Sequence, residues 1–292
     1  MITLYRYDAF STVPGRGNPA GVVLETEHLT EEQMQKIAKE AAYSETAFVL
    51  PSDKADLRLR YFTPGAEVPL CGHATVGSIY ALHEKGLIGE GEITIETGAG
   101  VMPISVTVKD GRTQIGMTQA VYQEKPFRGD KAALAASIGL TEDELDGRYP
   151  IMYGYTGLWT VVIPVKHLES FAKMKPDHYS FPGILTDEPY ASMHPFCLET
   201  VNEGAMIHAR HFSSPKNNIG EDPVTGTASG VMGAYWKRHI AEDGSRELRV
   251  ICEQGLEIGK DGIVETLVPA DPDGQVQIFG TAVFAQAFDI EP

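Results

Sequence analysis

Side chains able to move protons gather in two short stretches of this sequence. One reads Pro69-Leu70-Cys71-Gly72-His73-Ala74-Thr75 and the other Glu221-Asp222-Pro223-Val224-Thr225-Gly226-Thr227-Ala228. Cys71, His73, Asp222, Thr225 and Thr227 are the candidates inside them, and Glu45 and Asn18 stand outside. A carboxylate or imidazole held beside a substrate carbon is the ordinary equipment of general acid/base catalysis. Read singly, each residue also has a structural explanation. His73 could be a satisfied histidine at a helix start, Asp222 a turn residue before Pro223, and Thr227 a helix cap. Cys71 could be a small buried residue, and Glu45 an acid at a helix end.

The two stretches are copies of one another, which changes those odds. Setting Glu67 on Glu221 brings Pro69, Gly72 and Ala74 onto Pro223, Gly226 and Ala228 at an offset of 221 − 67 = 154. Upstream, Arg60 and Phe62 match Arg210 and Phe212 at 150; downstream, Glu96 and Gly98 match Glu253 and Gly255 at 157. A single register with small insertions, offset by about half the chain, implies a duplicated unit and two lobes related by a pseudo-twofold axis. The copies differ where chemistry would sit: Cys71 corresponds to Thr225, His73 to Thr227 and Val68 to Asp222. A racemase that uses matched thiols needs a Cys in both turns, and only the first copy has one.

The elements that must position these groups follow from the flanking sequence. Each copy runs from a strand-like Arg-x-Phe segment through a Pro- and Gly-rich turn into a stretch without charge, Gly72–Leu82 and Val224–Trp236. A helix that is apolar nearly all round must be buried. Lys85 with Gly86, and Lys237 with Arg238, mark the helix ends. Each lobe is therefore expected to wrap a sheet around one central helix, with the Gly-led turn at its N-terminus. Unpaired N–H groups and the positive end of the helix dipole make that terminus an anion site. The expected substrate contacts are Asn18, Gly72, Gly226 and Thr227, with the two helix starts facing one another across a cleft.

The remaining chain reads as α+β. Strands are expected over Ile2–Phe10, Thr46–Leu50 and Leu57–Phe62, then near 92–96, 103–108, 113–118, 158–164, 195–200, 248–252, 262–268, 275–279 and 282–287. Thr30 with Gln33 forms a capping box for a helix over about 31–42, Asp130 caps a short helix that stops at Gly139, and Thr141 with Glu144 forms a second box. The expected division is 1–120 and 121–292, allowing for the last strand to pack back on the first lobe. The fold class is α+β, with two pseudo-symmetric lobes that are each a barrel-like, mostly antiparallel sheet around a central helix.

Composition narrows the function. The 292 residues carry a net charge of -16, which argues against nucleic acid and anionic membrane surfaces as partners. The N-terminus lacks the basic and apolar regions of a signal peptide, and no run of about 18 apolar residues occurs. Cys71, Cys197 and Cys252 suit reduced thiols in a cytoplasm and show no metal-site spacing.

PLCGHAT at 69–75, EDPVTGTA at 221–228, GNPAGVV at 17–23, SETAFV around Glu45 and EQG at 253–255 resemble the PhzF-type isomerase family of phenazine biosynthesis, within the diaminopimelate epimerase fold. The resemblance runs from the first strand to the last. It implies two lobes with the active site between them, no cofactor and a homodimer. It also implies Glu45 as the general acid/base, with His73 and Asp222 helping to orient and protonate. Thr227 stands where the family often has Ser.

The function expected is a cofactor-independent isomerase that moves a proton on a small carboxylate-bearing substrate. Negative charge built up near the carboxylate would be held by N–H groups of Gly72, His73, Gly226 and Thr227. A single acid/base must take and return its proton near working pH, and burial of Glu45 is the device expected to tune it. The rivals are an amino-acid or hydroxy-acid racemase or epimerase, and a non-catalytic relative that binds small molecules. Specificity is expected from the loops Pro14–Asn18 and Tyr153–Trp159.

Overall fold

A computed structural model describes residues 1–214, 220–271 and 274–292. The chain opens with β1 (Ile2–Ala9), β2 (Asn18–Val23), α1 (Glu31–Ala41), β3 (Thr46–Leu50), β4 (Leu57–Phe62), β5 (Glu67–Val68), α2 (Gly72–Glu84), β6 (Gly91–Thr97), β7 (Gly100–Lys109) and β8 (Arg112–Thr118). It continues with β9 (Gln123–Pro126), α3 (Lys131–Ser137), β10 (Met152–Tyr155), β11 (Trp159–Pro164), α4 (Phe181–Ile184), β12 (Ser192–Cys197) and β13 (Ile207–Ala209). The last elements are α5 (Gly226–Tyr235), β14 (Leu248–Gln254), β15 (Gly262–Val268), β16 (Gln277–Gly280) and β17 (Ala282–Ile290). Two compact units result: Met1–Thr118 with Phe279–Pro292, and Gln119–Ile278.

In the first unit the strands hydrogen-bond in the order β17-β1-β2-β3-β4-β6-β7-β8, parallel at β2/β3 and β4/β6 and antiparallel elsewhere. β17 runs along β1 from Ile2↔Ile290 to Ala9↔Ala282. Helix α2 packs on β1, β2, β3, β8 and β17. Strands from both ends of that order touch one helix, so the sheet curls around it. The sequence explains why: residues 73–79, Ala81 and Leu82 are all buried, and a helix with no polar face is stable only when enclosed. Its end is set by Gly86 at φ 69, where the Leu87 N–H returns to the Leu82 carbonyl at 2.9 Å. The capping box of Thr30 and Gln33 starts α1, whose Met34, Ile37 and Ala38 pack with Phe48 and Phe62 in a smaller cluster.

The second unit repeats the plan with the order β9-β10-β11-β12-β13-β14-β15, parallel at β11/β12 and β13/β14. Helix α5 packs on β10, β11, β14 and β15. A Cβ on Gly154 would lie 2.3 Å from Val231 Cγ1, so a glycine is what lets β10 approach α5. After Tyr235 the helix ends in a π-helical turn, Trp236–Ile240, closed by the Ala241 N–H on the Trp236 carbonyl.

The offsets read from the sequence reappear as strand register. In the first unit β4 and β6 pair Leu57 with Ile95 and Arg58 with Glu96. In the second, β13 and β14 pair Ile207 with Cys252 and His208 with Glu253, the same residues moved by 150 and 157. Phe62↔Glu67 likewise becomes the bridge Phe212↔Glu221. The Glu-x-Gly that ends each copy has a steric role too. A Cβ on Gly98 would sit 2.8 Å from Pro69 Cα, and one on Gly255 2.5 Å from the Pro223 carbonyl oxygen. Both turns are thus braced by a glycine strand-end laid against the proline.

Two expectations are corrected. The strand expected near 195–200 is β12, Ser192–Cys197, and runs through Pro195. Proline lacks the N–H a ladder needs, which places the start too late when read from sequence. Here the Arg210 N–H donates to the Pro195 carbonyl at 3.2 Å, while Met193 and Phe212 exchange both of their bonds on that side. No strand was expected over 123–126, where β9 forms and pairs with β10.

Candidate active site

Glu45, Cys71 and His73 come together in the first unit. Glu45 is the last residue before β3, and its carbonyl accepts the Gly21 N–H at 3.1 Å, fixing the place where α1 gives way to the sheet. Cys71 is the N-cap of α2 and His73 its second residue. His73 Nε2 lies 3.3 Å from Glu45 Oε2 and 3.3 Å from Ser44 Oγ, while Nδ1 is 3.4 Å from Cys71 Sγ. The Glu45 and His73 side chains are only 15% and 10% exposed. No hydrogen bond reaches the buried Glu45 Oε2 among the described residues, although the His73 ring is close. An unsatisfied buried carboxylate oxygen is costly in a finished structure, and reads as an atom held ready for a partner.

The start of α2 adds the anion-binding element. No side chain caps it, and a Cβ on Gly72 would meet nothing within 4 Å. Room is therefore left beside Gly72 in the first turn, at the positive end of a thirteen-residue helix. Asn18 opens β2, three residues before Gly21, which pairs with Thr46 next to Glu45; it is buried.

Asp222, Thr225, Gly226 and Thr227 lie in the second unit. Thr225 is the N-cap of α5, but its hydroxyl donates to Asp222 Oδ2 instead of capping the helix. Gln254 fixes this turn. Its amide donates to the Asp222 carbonyl at 2.8 Å and to Thr225 Oγ1 at 3.2 Å, and its oxygen accepts the Thr225 N–H at 3.3 Å. Thr227, expected as a possible cap, sits inside the first turn, and its carbonyl accepts from Thr156 Oγ1 at 2.8 Å. The segment expected as a loop over Tyr153–Trp159 is the hairpin of β10 and β11, and Gly157 in its turn lies near the Thr227 methyl at the start of α5. Sequence reasoning missed two contributors. Gln254 could have been found, because it sits in the repeated Glu-x-Gly; Ser44 carries no signal.

A duplicated α+β chain with a carboxylate, imidazole and thiol at one helix start, and a carboxylate and hydroxyls at the other, defines a class of enzymes in the epimerase-like fold. Comparison with known proteins narrows it. The family model for phenazine biosynthesis-like proteins matches residues 7–287. An uncharacterized isomerase, YfhB of Bacillus subtilis, is 50% identical, with 96% of each chain covered. The crystal structure of a Bacillus anthracis phenazine biosynthesis protein of the PhzF family superposes with a TM-score of 0.97 at 50% identity, covering 100% of this chain and 99% of that one. A trans-2,3-dihydro-3-hydroxyanthranilate isomerase of Pseudomonas aeruginosa is 30% identical over 88% of each chain. The chain belongs to the phenazine biosynthesis-like (PhzF) family, and these relatives named for a reaction are isomerases. No helix of the described residues is long and apolar enough to cross a membrane.

Proposed function

We propose that this protein is a cofactor-independent isomerase that shifts a proton on a small carboxylate-bearing metabolite, with Glu45 as the general acid/base. The observation that carries the reading is the buried, hydrogen-bond-free Glu45 Oε2 beside His73, at the uncapped start of α2. Taking a proton from a carbon next to a carboxylate builds negative charge, and the first-turn N–H groups of Gly72 and His73 are donors fixed in advance to hold it. His73 is placed to orient Glu45 and to share the proton. Asp222, Gly226 and Thr227 are proposed as further substrate-binding residues, with Gln254 holding their turn in shape. A racemase with matched thiols is disfavoured, because Thr225 occupies the place of the second cysteine.

The Pseudomonas relative suggests where to begin, since trans-2,3-dihydro-3-hydroxyanthranilate bears a carboxylate. That compound and simpler unsaturated or amino carboxylates are incubated with the protein in D2O, and deuterium at carbon is followed by NMR. Incorporation by wild type that is lost in Glu45→Gln is the expected result. Equal incorporation by the two proteins would assign the proton to His73 or Asp222 instead.

A further inference from the structure

We infer that Glu45, Cys71 and His73 also form a binding site for a thiophilic divalent cation such as Zn²⁺, and that its occupancy withdraws Glu45 and His73 from proton transfer. The inference rests on the reading of Glu45 as the acid/base group only for that second clause; the site itself is an independent matter of geometry.

One ligand atom from each residue lies within 4.8 Å of the others. His73 Nε2 serves both partners: it is 3.3 Å from Glu45 Oε2 and 3.8 Å from Cys71 Sγ. Zinc bonds of about 2.3 Å to sulfur and about 2.0–2.1 Å to nitrogen or oxygen, set tetrahedrally, separate sulfur from nitrogen by about 3.5 Å and nitrogen from oxygen by about 3.3 Å. The nitrogen–oxygen pair already has that spacing; the sulfur, 3.8 Å from Nε2 and 3.4 Å from Nδ1, must swing away from the ring to complete the tetrahedron. A sulfur, an imidazole nitrogen and a carboxylate oxygen, with a fourth position left for water or a substrate anion, make a donor set that suits zinc and not magnesium or calcium. Glu45 Oε2, buried and without a hydrogen bond, loses nothing by accepting a metal.

Charge is consistent with this. The α2 dipole opposes a bare dication at its N-terminus, but it also favours the thiolate of Cys71. One thiolate and one carboxylate then neutralise the metal. No spacing motif announces the site because Glu45 arrives from the head of β3, while Cys71 and His73 stand at the head of α2.

The test is equilibrium dialysis of the reduced protein against Zn²⁺ in the presence of excess Mg²⁺, with Co²⁺ as a spectroscopic probe. One zinc per chain is expected, together with a thiolate-to-cobalt charge-transfer band in wild type. Cys71→Ser and His73→Ala should each weaken binding by at least about 100-fold, more than the ~10- to 100-fold that loss of a supporting contact costs. Cys252→Ser, at a buried cysteine in the second unit, should bind zinc as wild type does. The cobalt band needs no variant, so the ligand assignment survives a variant that fails to fold. Binding that persists in Cys71→Ser, a cobalt complex with no thiolate band, or no stoichiometric binding would overturn the site. Once a substrate is known, deuterium incorporation that continues at saturating zinc would overturn the second clause. Dialysis is scored without substrate, so its failure is distinct from failure of the isomerase reading.

Discussion

The two copies of the repeated turn keep the same frame and carry different chemistry. In both, an arginine from the strand grips the glutamate that opens the turn: Arg60 holds Glu67 through Nε and Nη2, each at 2.7 Å, and Arg210 holds Glu221 at 2.8 and 2.6 Å. In both, a glycine strand-end abuts the turn proline, and a helix that opens on a charge-free run follows the turn. The titratable groups do not follow this symmetry. Register places Ser192 where the first unit has Glu45, since Thr46↔Phe62 corresponds to Met193↔Phe212. The Ser192 hydroxyl shares a hydrogen bond with that of Thr160 at 3.0 Å. Thr225 and Thr227 stand for Cys71 and His73, and Asp222 is the one acid the second turn has gained. Duplication thus preserves what makes a helix start available and frees the side chains at that start to specialise. The first unit holds the carboxylate–imidazole pair, and the second holds an acid tied to its own threonine.

The largest effect should follow from exploiting that asymmetry. Glu45→Gln keeps the shape and removes the exchangeable proton, so turnover should fall about 10²- to 10⁴-fold while the fold persists. Ser192→Ala, the matching change in the second unit, should leave turnover within a factor of about two, because a surface-independent packing change of this size perturbs stability more than chemistry. Steady-state rates of the two variants side by side decide the point, and comparable losses would mean that the acid/base role is shared between the copies.

Next come the ion pairs, alike in geometry and unlike in burial. The side chains of Arg210 and Glu221 are 8% and 13% exposed, against 15% and 37% for Arg60 and Glu67. Arg210 also donates to the Phe171 carbonyl at 2.7 Å. Removing one partner of a buried pair strands the other, so Arg210→Met should cost about 3–5 kcal/mol. Arg60→Met, whose acids reach water, should cost about 1 kcal/mol or less. Urea unfolding measures both, and equal losses would show that burial is not what separates the copies.

Acid should weaken the second copy more than the first. His211 occupies the place of Tyr61, and its Nδ1 is 3.2 Å from that of His194. Burial holds His211 at a pKa of about 3. His194 is held well below its ordinary value by burial and then by the neighbouring ring. Both are neutral when folded and take up protons near pH 6.5 when unfolded, so their contribution is complete above about 6.5 and is lost as pH falls towards 3. Between about pH 6.5 and the folded-state value each such histidine steepens the loss by about 1.4 kcal/mol per pH unit. His211→Gln should flatten the dependence of unfolding free energy between pH 6 and 5 by about one such increment. An unchanged slope would place the acid sensitivity elsewhere.

How far these features could be read from the sequence depended on how local they are. Gly72–Leu82 and Val224–Trp236 have no charge, and that alone demanded enclosed helices; the offsets 150, 154 and 157 carried the strand register with them. β12 was misplaced because Pro195 suggests a strand start, whereas the ladder needs only its carbonyl. β9 was hidden in a polar stretch because it alternates weakly and gains its order from β10. Within the site, Cys71 and His73 were legible from their spacing on a helix start. Their meeting with Glu45 was not, because it depends on β3 pairing in parallel with β2 and bringing residue 45 to the head of α2. Asp222 was legible as an acid in the repeated turn, but its tie to Thr225 and the clasp of Gln254 exist only once β14 lies beside the turn.

A much smaller effect on turnover than at Glu45 is expected at Cys71, where the copies differ by a thiol against a hydroxyl. Cys71 Sγ approaches the His73 ring at 3.4 and 3.8 Å, near enough to suggest a thiolate base. A thiol that removes a proton from one face of a carbon needs a second acid on the other face to complete a racemisation, and Thr225 cannot serve, since its hydroxyl is committed to Asp222. On the proposal that Glu45 carries the proton, the sulfur is a neighbour of the ring and not its substitute. Cys71→Ser keeps a small polar atom at the N-cap and should reduce turnover by no more than about tenfold, or about 1.4 kcal/mol of transition-state stabilisation. Thr225→Cys added to wild type should likewise create no racemase activity, because the proposed proton carrier is Glu45 and not a thiol. Chiral chromatography of the product tests both variants. A folded Cys71→Ser protein without activity, or racemisation by the Thr225→Cys variant, would return the chemistry to paired thiols and make the asymmetry of the two turns a recent loss instead of a division of labour.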